Sequence, residues 1–376
     1  MKYTYLIISL LTANIVYAEC SDLSFNECAQ WLEYCEWNED TDSCQEIGGG
    51  GNNEELGPYQ FATITEADGL RNGPDYQDGI LFYPTDATPP YKSIVITPGW
   101  GGGSSSMSSW GEFFASYGFV AITIGPNDEI NDSHQQRAEG LLDGIESIRQ
   151  EQSRINSPLY NNLDIESFSV SGYSMGGGAA QVAATMDNSI QTAIALNPTV
   201  IFEDCETCAS YDYCICLDPS FLEHPVPVLI FAGENELDEL PSYGGLLGQD
   251  HYINTPETTD KILFEGAGSG HGFAAYPHGE IAEYILFWLN YQILNDNSYC
   301  EELLEIPETA SQYLTNINCS ENPIGDVNGD SLVNVTDIIM TVNFILNGEY
   351  NNLSDLNNDQ SNDVLDILLI INIILN

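Results

Sequence analysis

The chain has 376 residues, 43% apolar and 17% charged, a balance that suits a globular protein with a sizeable core and excludes wholesale disorder, collagen and coiled coil. Its 57 acidic and 7 basic residues leave a formal net charge of -50, and no Lys or Arg follows Lys261. Such a surface repels phosphate backbones and anionic headgroups, so nucleic acid is excluded as a partner, while a saline medium or bound divalent ions would screen the self-repulsion.

Residues 1–18 combine Lys2, an apolar stretch and the small-residue end Val16-Tyr17-Ala18, the pattern of a signal peptide cleaved after Ala18. The stretch is too short for a membrane span, and a secreted, extracellular chain is expected. Export implies an oxidising compartment, so the ten cysteines default to disulfides. Residues 19–46 hold Cys20, Cys28, Cys35 and Cys44 and read as a small disulfide-rich module, followed by a Gly-rich linker at 47–56.

From 57 to 321, short β-rich runs alternate with helical patterns, which predicts an α/β domain with a mostly parallel sheet of about eight strands. The strands are expected at 61–65, 79–83, 93–97, 119–124, 167–171, 192–196, 228–232 and 261–265, and the helices at 107–117, 134–151, 175–184 and 280–294. The tail, 322–376, repeats an acidic loop and an apolar helical run, the loops starting at Asp326 and, 29 residues on, at Asp355. Neither run is long enough to span a membrane.

Gly172-Tyr173-Ser174-Met175-Gly176 fits G-x-S-x-G between a strand and a helix, which presents Ser174 as a nucleophile at the carboxyl edge of the sheet. A serine hydroxyl needs a base, and in this arrangement the order is serine, acid, histidine. Of five histidines, His271 fits best, in a Gly-rich loop directly after a strand; His278 is the second choice and is otherwise expected to cap the final helix. His134 precedes the serine, His224 abuts a proline, and His251 is placed in a polar loop. The acid lies beyond strand 228–232, where Glu236 is the first candidate, Asp238 the alternative and Glu234 a surface carboxylate. Backbone N–H groups of Met175 and of Trp100, in the loop after strand 93–97, are the candidate oxyanion donors, and the Trp100 and Tyr173 rings are candidate walls for an acyl group.

These residues carry a resemblance. Pro98-Gly99-Trp100, the segments 115–120 and 172–178, Leu229 to Glu236, and Cys300 with Asn318-Cys319 make residues 57–321 similar to bacterial polyester hydrolases of the cutinase type, which include enzymes acting on poly(ethylene terephthalate), within the dienelactone-hydrolase-like α/β-hydrolases. The resemblance implies the α/β-hydrolase fold, Ser174, His271 and Glu236 as a catalytic triad, oxyanion contacts from Trp100 and Met175, and a Cys300–Cys319 disulfide. Three departures stand out: Glu occupies the acid position where Asp is usual, Thr199 falls where an aromatic platform is expected, and an insertion at 202–217 carries Cys205, Cys208, Cys214 and Cys216. That insertion reads as an acidic lid stapled by disulfides.

In the tail, alternating oxygen donors suit calcium. Asp326, Asn328, Asp330, the Leu332 carbonyl, Asn334 and Asp337 form one ligand set, and Asp355, Asn357, Asp359, the Ser361 carbonyl, Asp363 and Asp366 the other. The spacing is similar to type I dockerins and implies calcium-dependent folding and a cohesin-like partner, although loop positions 10 and 11, where hydroxyl residues are common, carry Val335-Thr336 and Val364-Leu365. The expectation is a secreted serine ester hydrolase without organic cofactor, acting through an acyl-enzyme on polyester or cutin-like substrates. Small-ester or carbohydrate esters are the alternatives within the same chemistry, and a non-catalytic, calcium-dependent adhesion or scaffold protein is the alternative outside it.

Overall fold

A computed structural model describes residues 56–200, 219–319, 325–329, 332–357, 359 and 361–375, together with the backbone of 5–7, 16–18, 35–38 and 43–46. The insertion at 202–217, with its four cysteines, lies outside the described residues, as do Cys20, Cys28 and Asp330. Two units emerge, Met1–Ile317 and Asn318–Asn376.

In the first 46 residues, Tyr5–Ile7 pairs antiparallel with Val16–Ala18, and Cys35–Asn38 with Ser43–Glu46. The rest of the first unit is built on one sheet of nine strands: β1 Phe61–Ile64, β2 Asp78–Pro84, β3 Tyr91–Thr97, β4 Val120–Gly125, β5 Leu163–Tyr173, β6 Ile190–Leu196, β7 Val228–Gly233, β8 Lys261–Gly266 and β9 Ala310–Thr315. Their order is β1-β2-β4-β3-β5-β6-β7-β8-β9. The six strands from β4 to β8 run parallel, while β1, β2 and β9 pair antiparallel at the two ends.

Nine strands replace the eight expected. The ninth, Ala-Ser-Gln-Tyr-Leu-Thr, sits at the sheet edge with no buried residue, so it lacks the apolar run that marks the interior strands. By contrast β4 and β7 are buried at every position, which is how a strand covered on both faces reads as a continuous apolar run.

The helices are α1 Ser108–Ser116, α2 His134–Ser153, α3 Met175–Met186, α4 Glu236–Glu239, α5 Gly248–Asn254 and α6 Gly279–Gln292. A capping box starts α2: Ser133 Oγ accepts from Gln136 N, and Ser133 N donates to Gln136 Oε1. Val95, Ile122, Val170, Ala195, Ile230 and Leu263, one from each parallel strand, join a single core with residues of α2 and α3. The short α4 and α5 were not foreseen, because neither carries an apolar stripe of helical period. His251, expected in a polar loop, is inside α5 and fully buried, with Gln181 Nε2 donating to its Nδ1 at 2.8 Å.

Strand order places the chemistry. Chain order reverses around β3, whose neighbours are β4 and β5, so the loops leaving β3 and β5 open a crevice at their carboxyl ends. Thr97 lies in register with Gly172, which sets the Pro98–Trp100 loop beside the turn at Ser174. Gly233 is likewise in register with Gly266, so the segments carrying Glu236 and His271 leave the sheet side by side.

The second unit contains α7 Val335–Asn347 and α8 Val364–Leu375, each preceded by one acidic loop. Cys300 and Cys319 are each disulfide-bonded. Among the described residues, no helix is long and apolar enough to cross a membrane.

Candidate active site

Ser174 occupies the single residue between β5 and α3 and has φ 55 and ψ −117, a left-handed conformation that costs a non-glycine residue on the order of 1–3 kcal/mol. The turn is affordable only because glycines flank it. A Cβ on Gly172 would lie 2.3 Å from the Gly176 carbonyl carbon, and one on Gly176 would lie 2.2 Å from Thr97 O. Backbone bonds fix the serine, whose N–H donates to Leu196 O at 2.9 Å and whose carbonyl accepts from Gly177 and Thr199.

The Ser174 hydroxyl donates to His271 Nε2 at 2.8 Å, and His271 Nδ1 donates to Glu236 Oε1. Glu236 is fully buried, and its other oxygen accepts from Gly233 N at 2.9 Å. Both carboxylate oxygens are thereby engaged, which offsets the cost of burying the charge. Ser174 is 6% and His271 9% exposed, so the hydroxyl–imidazole–carboxylate chain is largely shielded from water.

About half a helical turn separates the two acid candidates. Residues two apart in a helix point about 200° apart, and those three apart share a face. Glu236 and Glu239 of α4 accordingly both bond to His271; of the four residues only Glu236 is buried, Leu237, Asp238 and Glu239 being exposed. The structure brings Glu236 to the imidazole and leaves Asp238 in solvent. Glu239, which the sequence reading passed over, accepts from His271 N at 2.6 Å through Oε2. Glu234 is exposed as expected and accepts from Gly268 N at 2.7 Å. His278 stands at the N-cap of α6, but its Nε2 meets Phe273 O at 3.0 Å and its side chain makes no cap bond.

Two further groups support the histidine loop. The Tyr173 hydroxyl donates to His271 O at 3.0 Å, and Asn197 Oδ1 accepts from Ala274 N at 2.7 Å. Tyr173 is 7% exposed, so this ring, expected as a wall for an acyl group, is instead mostly enclosed beside the imidazole. Trp100 is 53% exposed, and its Nε1 donates to Ile130 O at 3.1 Å. Met175 begins α3 directly after the serine, and Gly99 passes so near that a Cβ on it would stand 2.9 Å from Ser174 Cβ. Thr199, at the position where an aromatic platform was expected, is 1% exposed and offers no ring.

In the tail the two loops repeat one geometry. Asp337 Oδ1 accepts from Val327 N and Asn328 N, and its Oδ2 from Asn334 N. Asp366 Oδ1 accepts from Leu356 N and Asn357 N, and its Oδ2 from Asp363 N. Asn334 Oδ1 caps α7 through Thr336 N, while Asp363 Oδ1 accepts from Leu365 N at the start of α8. Asp326 and Asp355 are also buried, and their Oδ1 atoms accept from Gly329 N and Asp359 N respectively. Asp359 Oδ1 in turn accepts from Ser361 N.

Residues 53–320 match the family model described as PET hydrolase-like, and residues 324–375 match the dockerin type I domain. Cutinase est2 of Thermobifida alba is 29% identical over 254 residues, covering 67% of this chain and 76% of that protein. The bis(hydroxyethyl) terephthalate hydrolase of Streptomyces coelicolor is 27% identical over 253 residues, 67% of this chain and 73% of its own. A cutinase of Thermobifida fusca is 28% identical over 252 residues, 67% and 70% of the two chains.

Proposed function

We propose that this chain, which belongs to the PET hydrolase-like family, is a secreted serine ester hydrolase that cleaves carboxylic esters through an acyl-enzyme. The observation that carries this reading is the unbroken hydrogen-bond chain from Ser174 through His271 to Glu236. Ser174 Oγ attacks the ester carbonyl while His271 Nε2 takes its proton. The buried Glu236 holds the imidazole with Nδ1 protonated and Nε2 free to accept, and it stabilises the imidazolium that forms. Charge developing on the carbonyl oxygen is met by the N–H groups of Met175 and Trp100, an interaction whose loss typically costs 10²–10³ in rate. His271 then protonates the leaving alkoxide, and the acyl-enzyme is released by a water that the same imidazole deprotonates.

Cutinases and a terephthalate ester hydrolase among the relatives support polyester or cutin-like substrates. The exposed Trp100 ring gives the rim one aromatic surface, and Thr199 withholds a second, a difference that favours flexible or aliphatic esters over a clamped aryl ring. Hydrolysis of p-nitrophenyl butyrate by the intact protein and by Ser174→Ala tests the chemistry. Activity lost in the variant supports it, and equal background rates for both would end it. Release from a polyester film measured beside soluble butyrate and acetylated sugar esters then separates the substrate classes.

The tail is proposed to bind two calcium ions. Asp326, Asn328, Asp330, Leu332 O, Asn334 and Asp337 would hold one, and Asp355, Asn357, Asp359, Ser361 O, Asp363 and Asp366 the other. Asp326, Asp337, Asp355 and Asp366 are all at most 4% exposed, in a region with no Lys or Arg after Lys261, so a hard cation fits the charge they bury. Bound calcium would neutralise the carboxylates and set the loops; no organic cofactor enters the reaction. The dockerin match supports a cohesin-like partner. Val335, Val364 and Leu365 are exposed, so such a contact would be apolar at three of the four positions where hydroxyls are common, Thr336 being the fourth.

A further inference from the structure

Arg137 is 1% exposed, and its guanidinium donates to three backbone carbonyls: Pro98 O at 3.1 Å, Glu129 O at 2.9 Å and Asp132 O at 3.3 Å. Burial pushes it down to about 10, with Asp132, Glu129 and Asp128 acting in the opposite sense. A buried cation is costly unless its donors are satisfied, and here the acceptors come from two separate loops. Pro98 belongs to the loop after β3, and Glu129 and Asp132 to the loop after β4. The same two loops are joined again at the surface, where Gly101 N donates to Glu129 O at 2.8 Å and Trp100 Nε1 to Ile130 O at 3.1 Å. Trp100, whose N–H is the expected oxyanion donor, is therefore flanked by anchored atoms: Pro98 O before it, Gly101 N after it, and its own ring.

We propose that Arg137 is a positioning residue that holds the Pro98–Gly101 loop so that the Trp100 N–H faces the oxygen of the reacting ester. The inference rests on the serine-hydrolase reading. Arg137 does not touch substrate; its planar fork meets three carbonyls through three separate nitrogens, a spread that the single Nζ of a lysine does not reproduce. A donor displaced by about 1 Å stabilises the developing oxyanion poorly while leaving the bound ester little affected, a loss of up to about 100-fold in rate.

The test compares intact wild type with Arg137→Lys, folded as judged by far-UV circular dichroism and melting. The readouts are kcat and KM for p-nitrophenyl butyrate and the affinity of an alkyl trifluoromethyl ketone. Ser174 Oγ adds to that ketone, its proton passes to His271, and the carbonyl electron pair becomes an oxyanion that the same N–H groups bind. The expected result is a kcat lowered 10- to 100-fold with KM within about threefold of wild type, and ketone affinity falling in step with kcat. A wild-type kcat and ketone affinity in folded Arg137→Lys overturns the proposal, as does a raised KM with unchanged kcat. Should the lysine variant not fold, Arg137→Gln, which keeps amide donors and removes the fork, is read in the same way and is expected to weaken ketone binding several-fold. Unchanged ketone affinity there overturns the proposal as well. A wild type with neither hydrolysis nor ketone adduct overturns the serine-hydrolase reading itself, an outcome distinct from an active wild type that is indifferent to Arg137.

Discussion

Tyr173 and His271 are joined twice: the tyrosine hydroxyl donates to the histidine carbonyl at 3.0 Å, and the two rings lie 5.3 Å apart, tilted by 40°. The residue beside the serine therefore holds the backbone of the base. Tyr173→Phe keeps the ring and removes only the hydrogen bond, so kcat for p-nitrophenyl butyrate should fall about 5- to 20-fold with KM little changed, the signature of a loosened imidazole. An unchanged kcat would show that packing alone positions the loop.

Glu236 and Asp238 make opposite predictions. Glu236→Gln leaves a buried amide beside His271 and favours the wrong tautomer, so kcat should drop by about 10³–10⁴. Asp238→Asn changes an exposed carboxylate and should leave kcat within about twofold. Reversal of that order would move the acid to Asp238.

Strain at Ser174 has a thermodynamic trace. Replacing it by glycine removes the cost of φ 55, so Ser174→Gly should abolish hydrolysis and raise stability by about 1 kcal/mol in denaturant unfolding. A destabilised Ser174→Gly would mean that the hydroxyl contributes more to the fold than the turn costs.

Acid should destabilise the first unit before carboxylates held below their ordinary range, such as Asp164 and Glu280, protonate. Burial pushes His224 down to about 4, and burial together with the neighbouring His134 pushes His251 down to about 3, from the ordinary 6.5. Both are neutral in the folded chain, while the unfolded chain takes up protons below pH 6.5, so their contribution is whole above that pH and shrinks as pH falls. At pH 5 each histidine costs about 2 kcal/mol relative to pH 7. Melting temperature should therefore fall between pH 7 and pH 5, and His224→Gln should remove about half of that slope. Carboxylates held below their ordinary range, such as Asp164 and Glu280, add their losses only at lower pH.

Calcium removal should act on the tail alone. Excess EDTA is expected to reduce the helical signal of α7 and α8 and leave p-nitrophenyl butyrate hydrolysis unchanged, with Asp337→Ala and Asp366→Ala each removing one of two calcium-binding steps in calorimetry. Identical circular dichroism and proteolysis patterns with calcium and with EDTA would contradict calcium-dependent folding.

The strand-turn-helix around Ser174 was legible because its requirement is local: two glycines spaced to let one backbone cross another. The two acidic loops were legible for the same reason, since twelve consecutive residues carry every donor. Strands buried on both faces announced themselves as apolar runs, whereas β9, α4 and α5 left no such mark.

Sequence alone determined the candidate residue types and their order along the chain: Ser174, then a carboxylate at Glu236 or Asp238, then His271. Which of two nearby carboxylates turns inward, that Tyr173 braces the histidine, and that Arg137 is buried against three carbonyls were decided only when β3, β4, β5, β7 and β8 took their places in one sheet. The physical reason is range. Neighbouring strands stand about 4.8 Å apart, so a serine and a histidine leaving strands three places apart start roughly 14 Å from each other, and only the packed loops close that gap to a hydrogen bond.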